Sequence, residues 1–324
     1  MTGFLLRRLI NYVVLCLVAT FLAYLLASAT FHPLAVLMLR NPPPSPQSIA
    51  TKAHELHLDE SVVPRYFGWL GGVLHGDFGD TVQGAPITDE LWQRVGVSLR
   101  LFLLGTVIGI VVGVLAGVVS AIRQYRFSDY LITILSFILL ATPVFLLGLL
   151  LKQGALQLNT TVGTNVFQFT GETTPNFTGT FWQALGDRLQ HLVLPTLTIA
   201  LGQIALYSRY QRSAMLDVLG SDFLRTAQAK GLTRRKALFK HGMRTALIPM
   251  ATLFAFGFGT LITGGVFTEN LFSWFGMGNW LIVGITAQDA NITATVTLFV
   301  AVCILVSGWL SDVLYAALDP RVRV

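Results

Sequence analysis

The sequence predicts an all-α polytopic membrane protein with six transmembrane helices and a small extracytoplasmic subdomain. Of the 324 residues, 53% are hydrophobic and only 12% are charged, whereas soluble proteins carry about 25% charged residues. The mean hydropathy is +0.65. With 22 Lys and Arg and 16 Asp and Glu, a soluble chain of this length could hardly cover so large an apolar core. The composition therefore excludes an ordinary soluble protein and a secreted disulfide scaffold.

Six apolar runs define the predicted spans, because a bilayer core about 30 Å thick needs about 20 apolar residues in a helix. Each run lacks Asp, Glu, Lys and Arg; they are Leu9–Phe31, Leu101–Ile122, Tyr130–Leu151, Leu192–Ser208, Ala246–Thr268 and Ile292–Ser311. The fourth run is short and contains Pro195. The first follows Arg7 and Arg8 as in a signal peptide, but it is too long and lacks an A-x-A cleavage site. We therefore expect a retained anchor.

The distribution of cations predicts the orientation, because Lys and Arg resist translocation. With the N-terminus inside, the inner segments hold fifteen Lys and Arg against five acidic residues. The outer segments hold seven against eleven. An even number of spans then places both termini in the cytoplasm. Because much of the basic excess follows from this topology, the pI of about 9.5 is no argument for nucleic-acid binding.

The first outer segment, His32–Arg100, is long enough for the extracytoplasmic subdomain. It contains a Pro-rich turn (Asn41–Pro46), a predicted helical stretch (Ile49–Leu58) and a glycine-studded run (Gly68–Gly79). We expect this subdomain to lie on the bilayer, with Tyr66, Phe67 and Trp69 at the headgroups as an aromatic belt. The second outer segment, Lys152–His191, is polar and predicts loops with a short hairpin.

Two sets of residues with reactive side chains have plain structural interpretations. Cys16 and Cys303 both lie inside apolar runs, which indicates small hydrophobic residues and neither a disulfide nor a metal site. His54 and His57 form an H-x-x-H pair on a polar segment, without the i, i+4 spacing of a zinc helix or a clear third ligand. We therefore predict no metal site.

Glycines recur in the second and fifth spans. They are Gly105, Gly109, Gly113 and Gly117, and then Gly257, Gly259, Gly264 and Gly265. The first set repeats every four residues and so follows one stripe of its helix, which is typical of close helix–helix packing. A pore-lining role with exposed backbone is the alternative.

The inner loop between the fourth and fifth spans, Arg209–Thr245, has its own helix signals. Ser221 or Asp222 can cap a helix that continues to Lys230, Gly231 can end it, and a second helix can begin at Thr233. A helix of two turns is unstable alone in water. Phe223 and Ala227 share a face by their i, i+4 spacing, so the helix needs a partner, either the membrane surface or a groove on a cytoplasmic protein.

These residues carry a family resemblance. The segments Phe223–Leu232 and His241–Pro249 resemble the coupling-loop signature of binding-protein-dependent ABC importer permeases, in the oligopeptide/dipeptide/nickel branch. Arg225-Thr226-Ala227 replaces the Glu-Ala-Ala of the general motif, as in the peptide branch. Further matches in order are Arg7-Arg8-Leu9, Gly76–Gly79, Ala141-Thr142-Pro143, Glu269 with Phe272 and Gly276-Met277-Gly278, and Leu318–Arg321. The pattern is most similar to B-type permeases of oligopeptide importers.

The resemblance implies a type I ABC importer permease fold in a bacterial plasma membrane. It implies residues 1–100 as an N-terminal helix and extracytoplasmic segment, residues 101–315 as the permease domain with coupling loop 209–245, and residues 316–324 as a cytoplasmic tail. The implied partners are a second homologous permease, ATP-binding cassette subunits and an extracytoplasmic peptide-binding protein, within membrane lipid. No cofactor is implied.

The implied contacts with the ATP-binding subunit come from the coupling helix. They are Phe223, Leu224, Arg225, Thr226, Ala227, Lys230 and Gly231. As a hypothesis, Phe223 and Ala227 insert, Arg225 and Lys230 pair with acidic groups, and Gly231 permits the turn. Since the sequence has no G-x-x-x-x-G-K-[ST] phosphate loop, we expect no enzymatic activity here and ATP hydrolysis on another chain.

Three other interpretations compete with the peptide importer. Nickel and glutathione permeases share much of the pattern. An ion-coupled secondary transporter generally needs ionisable residues near the membrane midplane, and the six runs have no Asp, Glu, Lys or Arg. An intramembrane enzyme would need a nucleophile–base pair or metal ligands at that depth, where His191 stands alone at the mouth of the fourth span.

Overall fold

The computed structural model describes residues 2–38 and 44–318, except for the side chains of residues 2–5, 36–37 and 255–264. These residues form α1 (Thr2–Thr30), α2 (Pro33–Met38), α3 (Pro46–Glu55), α4 (Val62–Leu74), α5 (Ile87–Ile122), α6 (Phe127–Ala141), α7 (Val144–Val162), α8 (Phe181–Leu219), α9 (Asp222–Ala229), α10 (Arg234–Ala237), a π segment (Leu238–Gly242), α11 (Met243–Leu271), α12 (Met277–Thr286) and α13 (Ala290–Leu318). Residues 41–43 of the predicted Pro-rich turn and residues 319–324 of the C-terminal tail lie outside the described residues.

Four helices among the described residues are long and apolar enough to cross a membrane. They are α1 from Leu6, α5, α8 and α13, and the α6–α7 pair adds a fifth if it forms one span. The helix α11 covers the predicted span Ala246–Thr268. The all-α membrane fold is confirmed, while the count of six crossings stays a prediction.

The third predicted span, Tyr130–Leu151, is wrong as a continuous helix. It is broken between α6 and α7, whose axes are bent by 106°. Thr142 adopts an extended conformation (φ −93°, ψ 123°) directly before Pro143. A proline disfavours the helical conformation at the residue before it and provides no N–H for the helix, so apolarity continues where the helix does not.

The fourth span is part of a much longer helix than predicted. The helix α8 has 39 residues and continues through Pro195, which gives it a length of about 58 Å. The predicted span Leu192–Ser208 was ended before Arg209, because charged residues are rare inside a bilayer. A helix can continue past the membrane surface, and α8 does so in sequence as far as Leu219. The polar C-terminal part of α8 therefore leads directly into the coupling loop.

The residues divide into two compact units. One comprises residues 6–98 and 275–305. In this unit Tyr66 and Trp69 are buried together with Tyr24 and Ala294, and the Tyr66 hydroxyl lies 2.9 Å from Thr20 Oγ1. The predicted aromatic belt is therefore wrong for Tyr66 and Trp69, since both belong to the core of the unit.

Two other expectations for the outer segments differ in outcome. The predicted helical stretch Ile49–Leu58 is present as α3, while Phe67 of the expected belt is 61% exposed. The expected hairpin in Lys152–His191 is wrong, because the structure places no strand there: α7 extends to Val162 and α8 begins at Phe181.

The second unit comprises residues 1–5, 99–274 and 306–324. The glycine stripe of α5 packs in this unit directly against α8. A Cβ on these glycines would approach, one after the other, Ile199, Gln203, Tyr207 and Ser208 with Gln211. Close helix packing is thus confirmed for this stripe, which α8 covers. Gly265 lies against the Phe102 ring, and the other glycines of the fifth span lie outside the described side chains.

We expect Gly113→Ala to destabilise the protein. The added Cβ would lie 2.9 Å from Tyr207 Cβ and 3.0 Å from the Ile204 carbonyl oxygen, so α5 and α8 must separate, at a cost of about 1–3 kcal/mol. The measurement is the melting temperature of the purified protein in detergent. Gly154→Ala is the control, because no atom lies within 4 Å of its added Cβ. Equal melting temperatures for the two variants would contradict the packing interpretation.

Candidate coupling interface

The short helix α9 begins and ends where its sequence signals predict. Ser221 stands in an extended conformation before α9, but its hydroxyl donates to the Val218 carbonyl (2.6 Å) instead of capping α9. At the other end Gly231 has φ +91°, and its N–H donates to the Gln228 carbonyl (2.9 Å). Since other residues are strained at this φ, Gly231 permits the turn that stops the helix.

One side of α9 is buried by the chain itself. Leu224 is 2% exposed and belongs to a cluster with Val118, Ala121, Met215, Val218, Ala237, Leu238 and Ala246. Ala227 and Leu232 are half-buried against the same cluster, which we call the anchor cluster. The partner that a two-turn helix needs is therefore supplied by α5, α8, α10, the π segment and α11. Leu224 was predicted as a contact with the ATP-binding subunit, and its burial inside the chain corrects that prediction.

The opposite side of α9 faces outward. Phe223 is 44% exposed, and Arg225, Thr226 and Lys230 are exposed as well. Phe223, Thr226 and Lys230 follow i, i+3 and i+7 spacing and so share one face. Ala227 lies on the same side of α9 as Phe223 by its i, i+4 spacing, but it is half-buried against the anchor cluster, so Phe223 is the exposed member of the expected pair.

The cations of α9 are available for a partner. Arg225 lies 3.6 Å from Asp222, but the two side chains are 75% and 95% exposed, and such surface pairs contribute about 0–1 kcal/mol. Beyond Gly231 the surface is also basic: Arg234, Arg235 and Lys236 of α10 and Lys240 of the π segment are exposed. An exposed phenyl ring with surrounding cations can insert into an apolar cleft that has an acidic rim.

The π segment brings α11 close to α9. A Cβ on Gly242 would lie 2.9 Å from Leu238 Cδ1 and 3.1 Å from Val218 Cγ1. It would also lie 3.5 Å from Leu224 Cδ1. Gly242 therefore packs directly against three side chains of the anchor cluster. The sequence did not predict this packing role, because the glycine was considered only as part of the family motif.

An ion pair between Asp129 and Arg212 joins the start of α6 to α8. Arg212 donates to both carboxylate oxygens of Asp129, through Nε (2.7 Å) and Nη2 (2.9 Å). Asp129 is 2% exposed; it also accepts from the Ser120 hydroxyl and from the Tyr125 N–H (2.9 Å). The pair thus fixes the α5–α6 turn to α8. Sequence reasoning counted both residues only as charges that set the topology.

The histidine pair of the outer segment forms separate contacts. His54 Nδ1 lies 3.2 Å from Asp59 Oδ2, and His57 Nδ1 lies 3.0 Å from Glu60 Oε1. All four side chains are exposed. The two imidazoles therefore take different partners and do not converge. The two cysteines are unpaired thiols, with Cys16 buried and Cys303 half-buried.

Comparisons with known proteins identify the family of this chain. Residues 109–324 match the family described as binding-protein-dependent transport system inner membrane component, and residues 1–87 match its N-terminal part. The oligopeptide transport system permease protein OppB of Mycobacterium tuberculosis is 56% identical over the full length of both chains. AppB of Bacillus subtilis, also an oligopeptide permease by name, is 33% identical over the full length of both. The dipeptide transport system permease protein DppB of Escherichia coli is 31% identical over 86% of each chain.

We expect Asp129→Asn to destabilise the protein by about 3 kcal/mol, because the substitution leaves the Arg212 charge partly buried without its counter-ion. The measurement is thermal unfolding of the purified protein. Adding Arg212→Gln to Asp129→Asn should restore part of the loss, since the unpaired charge is then gone. Arg188→Gln, which removes an exposed cation of the same helix, is the control. A double variant less stable than Asp129→Asn alone would contradict this account of the pair.

Proposed function

Because the chain belongs to the family of binding-protein-dependent transport system inner membrane components, we propose that it forms half of the translocation path of an ATP-driven peptide importer. Full-length relatives named as oligopeptide permeases support the peptide substrate. A relative named as a dipeptide permease supports the same class. Nickel and glutathione remain the alternative substrates of this proposal.

The proposed assembly has four kinds of subunit. This chain pairs with a second homologous permease, each permease docks on an ATP-binding cassette subunit, and an extracytoplasmic protein delivers the peptide. ATP is hydrolysed on the cassette subunits. Both termini of this chain and the coupling loop face the cytoplasm, as the excess of cations in the inner segments predicts.

The outward face of α9 is the observation that carries the proposed docking. Phe223 enters an apolar cleft of the cassette subunit, and Arg225 and Lys230 pair with acidic groups at its rim. Thr226 lies between them on the same surface. Leu224 and Ala227 hold α9 on the anchor cluster instead of contacting the partner, and Gly231 sets the angle at which the chain leaves the helix.

Burial of Leu224 explains how a movement of the cassette subunit would pass from α9 to the membrane helices. The anchor cluster contains side chains of α8 and of α11, so a force on α9 acts on both membrane helices at once. A helix connected only by flexible loops would move without them. Closure of the cassette subunits therefore rotates α8 and α11 together, as a rigid-body transition between two packings.

We expect Phe223→Asp to abolish coupling without affecting the fold. The ring is exposed, so the carboxylate stays in water in the isolated chain, whereas in the complex it would be buried in an apolar cleft. Loss of a central aromatic contact weakens an interface by about tenfold or more. The measurements are co-purification of the cassette subunits and ATP-dependent peptide uptake, with the melting temperature of the permease as a check on folding.

Gln228→Asp is the matched control, because Gln228 is exposed on the same helix but lies away from the Phe223 face. It should retain the cassette subunits and uptake. Ala227→Asp is a poor test, since it would place a charge against the anchor cluster and destabilise the chain by itself. Normal uptake and normal co-purification of the Phe223→Asp variant would overturn the proposed docking.

A further inference from the structure

The second residue of α11 holds the last turn of α13. Arg244 donates from Nε to the Leu318 carbonyl (2.8 Å) and from Nη2 to the Ala317 carbonyl (2.9 Å). The carbonyls in the last turn of a helix have no donor within the helix, and the negative end of the helix dipole lies there. A guanidinium therefore suits this position by its charge and by its paired N–H donors.

The same turn of α11 also belongs to the anchor cluster. Ala246 is 1% exposed within the cluster, and Met243 packs against it. As far as the structure describes it, the cluster includes no side chain of α13. Successive residues of a helix point about 100° apart, so Arg244 points away from the side on which Met243 and Ala246 lie. One turn of α11 thus contacts the support of α9 on one side and α13 on the other.

A second hydrogen bond joins the same two helices. The hydroxyl of Ser311, which is 6% exposed, donates to the Ala251 carbonyl (2.5 Å). Ala251 is seven residues after Arg244, and Ser311 is seven residues before Leu318. The two contacts are therefore two helical turns apart on both helices, which run antiparallel. All of these residues belong to the second compact unit, so α11 and α13 are joined there at two levels.

We propose that Arg244 is a positioning residue of the coupling, which transmits a displacement of α9 from the first turn of α11 to α13. This inference rests on the proposed function. A force on α9 reaches α11 through the anchor cluster, and α13 follows because its last two carbonyls are held by the guanidinium. Apolar contacts are non-directional, whereas two N–H···O hydrogen bonds from one rigid group fix a single position of α13 on α11.

The first test measures how much peptide is imported for each ATP hydrolysed. It uses the reconstituted complex of both permeases, the cassette subunits and the binding protein, with a tetra-alanine peptide as the probe. We expect Arg244→Met to lower the ratio of import to hydrolysis by about tenfold, because two hydrogen bonds to a charged group are lost. Arg244→Lys should lower it less, since lysine keeps the charge without the fork. Ser311→Ala should also lower it less, since a neutral hydroxyl forms the weaker bond.

The second test measures whether α11 and α13 move together. Spin labels are placed on Thr245→Cys and Val306→Cys, both at exposed positions of the second unit, after Cys16 and Cys303 have been replaced by serine. Val306 is about 18 Å along α13 from Leu318. With Arg244 in place, we expect the same distance between the labels with and without ATP and vanadate. In the Arg244→Met complex the distance should change with the nucleotide, which loss of a purely stabilising cap would not cause.

The remaining outcomes separate coupling from stability. An unchanged ratio of import to hydrolysis in the Arg244→Met complex overturns the proposal. So does a lower melting temperature with equal losses of import and hydrolysis, which would leave Arg244 as a structural cap alone. A nucleotide-dependent distance in the complex that retains Arg244 overturns it as well. Arg123→Met, which removes an exposed cation between α5 and α6, should keep the wild-type ratio. ATP-independent import, or none, by the wild-type complex would instead contradict the proposed function itself.

Discussion

The burial of Leu224 is the contact on which the rest of the inner surface depends. A two-turn helix in water is unstable, so α9 exists as a defined surface because one leucine fills the anchor cluster. That cluster joins the ends of α5, α8 and α11 to α9. The same contact that folds the loop therefore makes it rigid. Because successive residues of a helix point about 100° apart, burying Leu224 leaves Phe223 partly exposed at the edge of the outward face.

Local chemistry in the sequence was enough to place elements but not to orient them. The end of α9 at Gly231 and the next helix after Thr233 could be predicted, because positive φ and capping depend on neighbouring residues. The start of α9 after Ser221 was also predicted, although the Ser221 hydroxyl does not cap the helix. Which side of α9 faces inward depends on Val218, Met215 and other residues distant in the chain. The i, i+4 spacing of Phe223 and Ala227 predicted that these two residues form the face that contacts a partner, yet the residue that is fully buried is Leu224.

In the membrane helices, too, the sequence located the elements but did not predict how they pack. Uncharged apolar runs located the long helices, because the cost of burying charge in lipid is general. The bend at Thr142-Pro143 was missed since apolarity carries no information on backbone continuity. Two of the three aromatic side chains of α4, Tyr66 and Trp69, were misplaced, because composition does not distinguish a headgroup belt from a core: both pack on Tyr24. The Asp129–Arg212 pair was missed because pairing across 83 residues leaves no local pattern.

The contacts around α8 determine which parts of the permease can move together. Its glycine-facing side fits α5 so closely that the helices cannot slide past one another without lifting apart, and the bidentate pair with Asp129 fixes the α5–α6 turn to the same helix. In the coupling that we propose, a force on α9 therefore acts on α5, the start of α6 and α8 together. The break at Pro143 interrupts the helical hydrogen bonds between α6 and α7. It does not release α7 from α8, because a Cβ on Gly148 of α7 would lie 3.1 Å from Thr198 Cγ2 of α8.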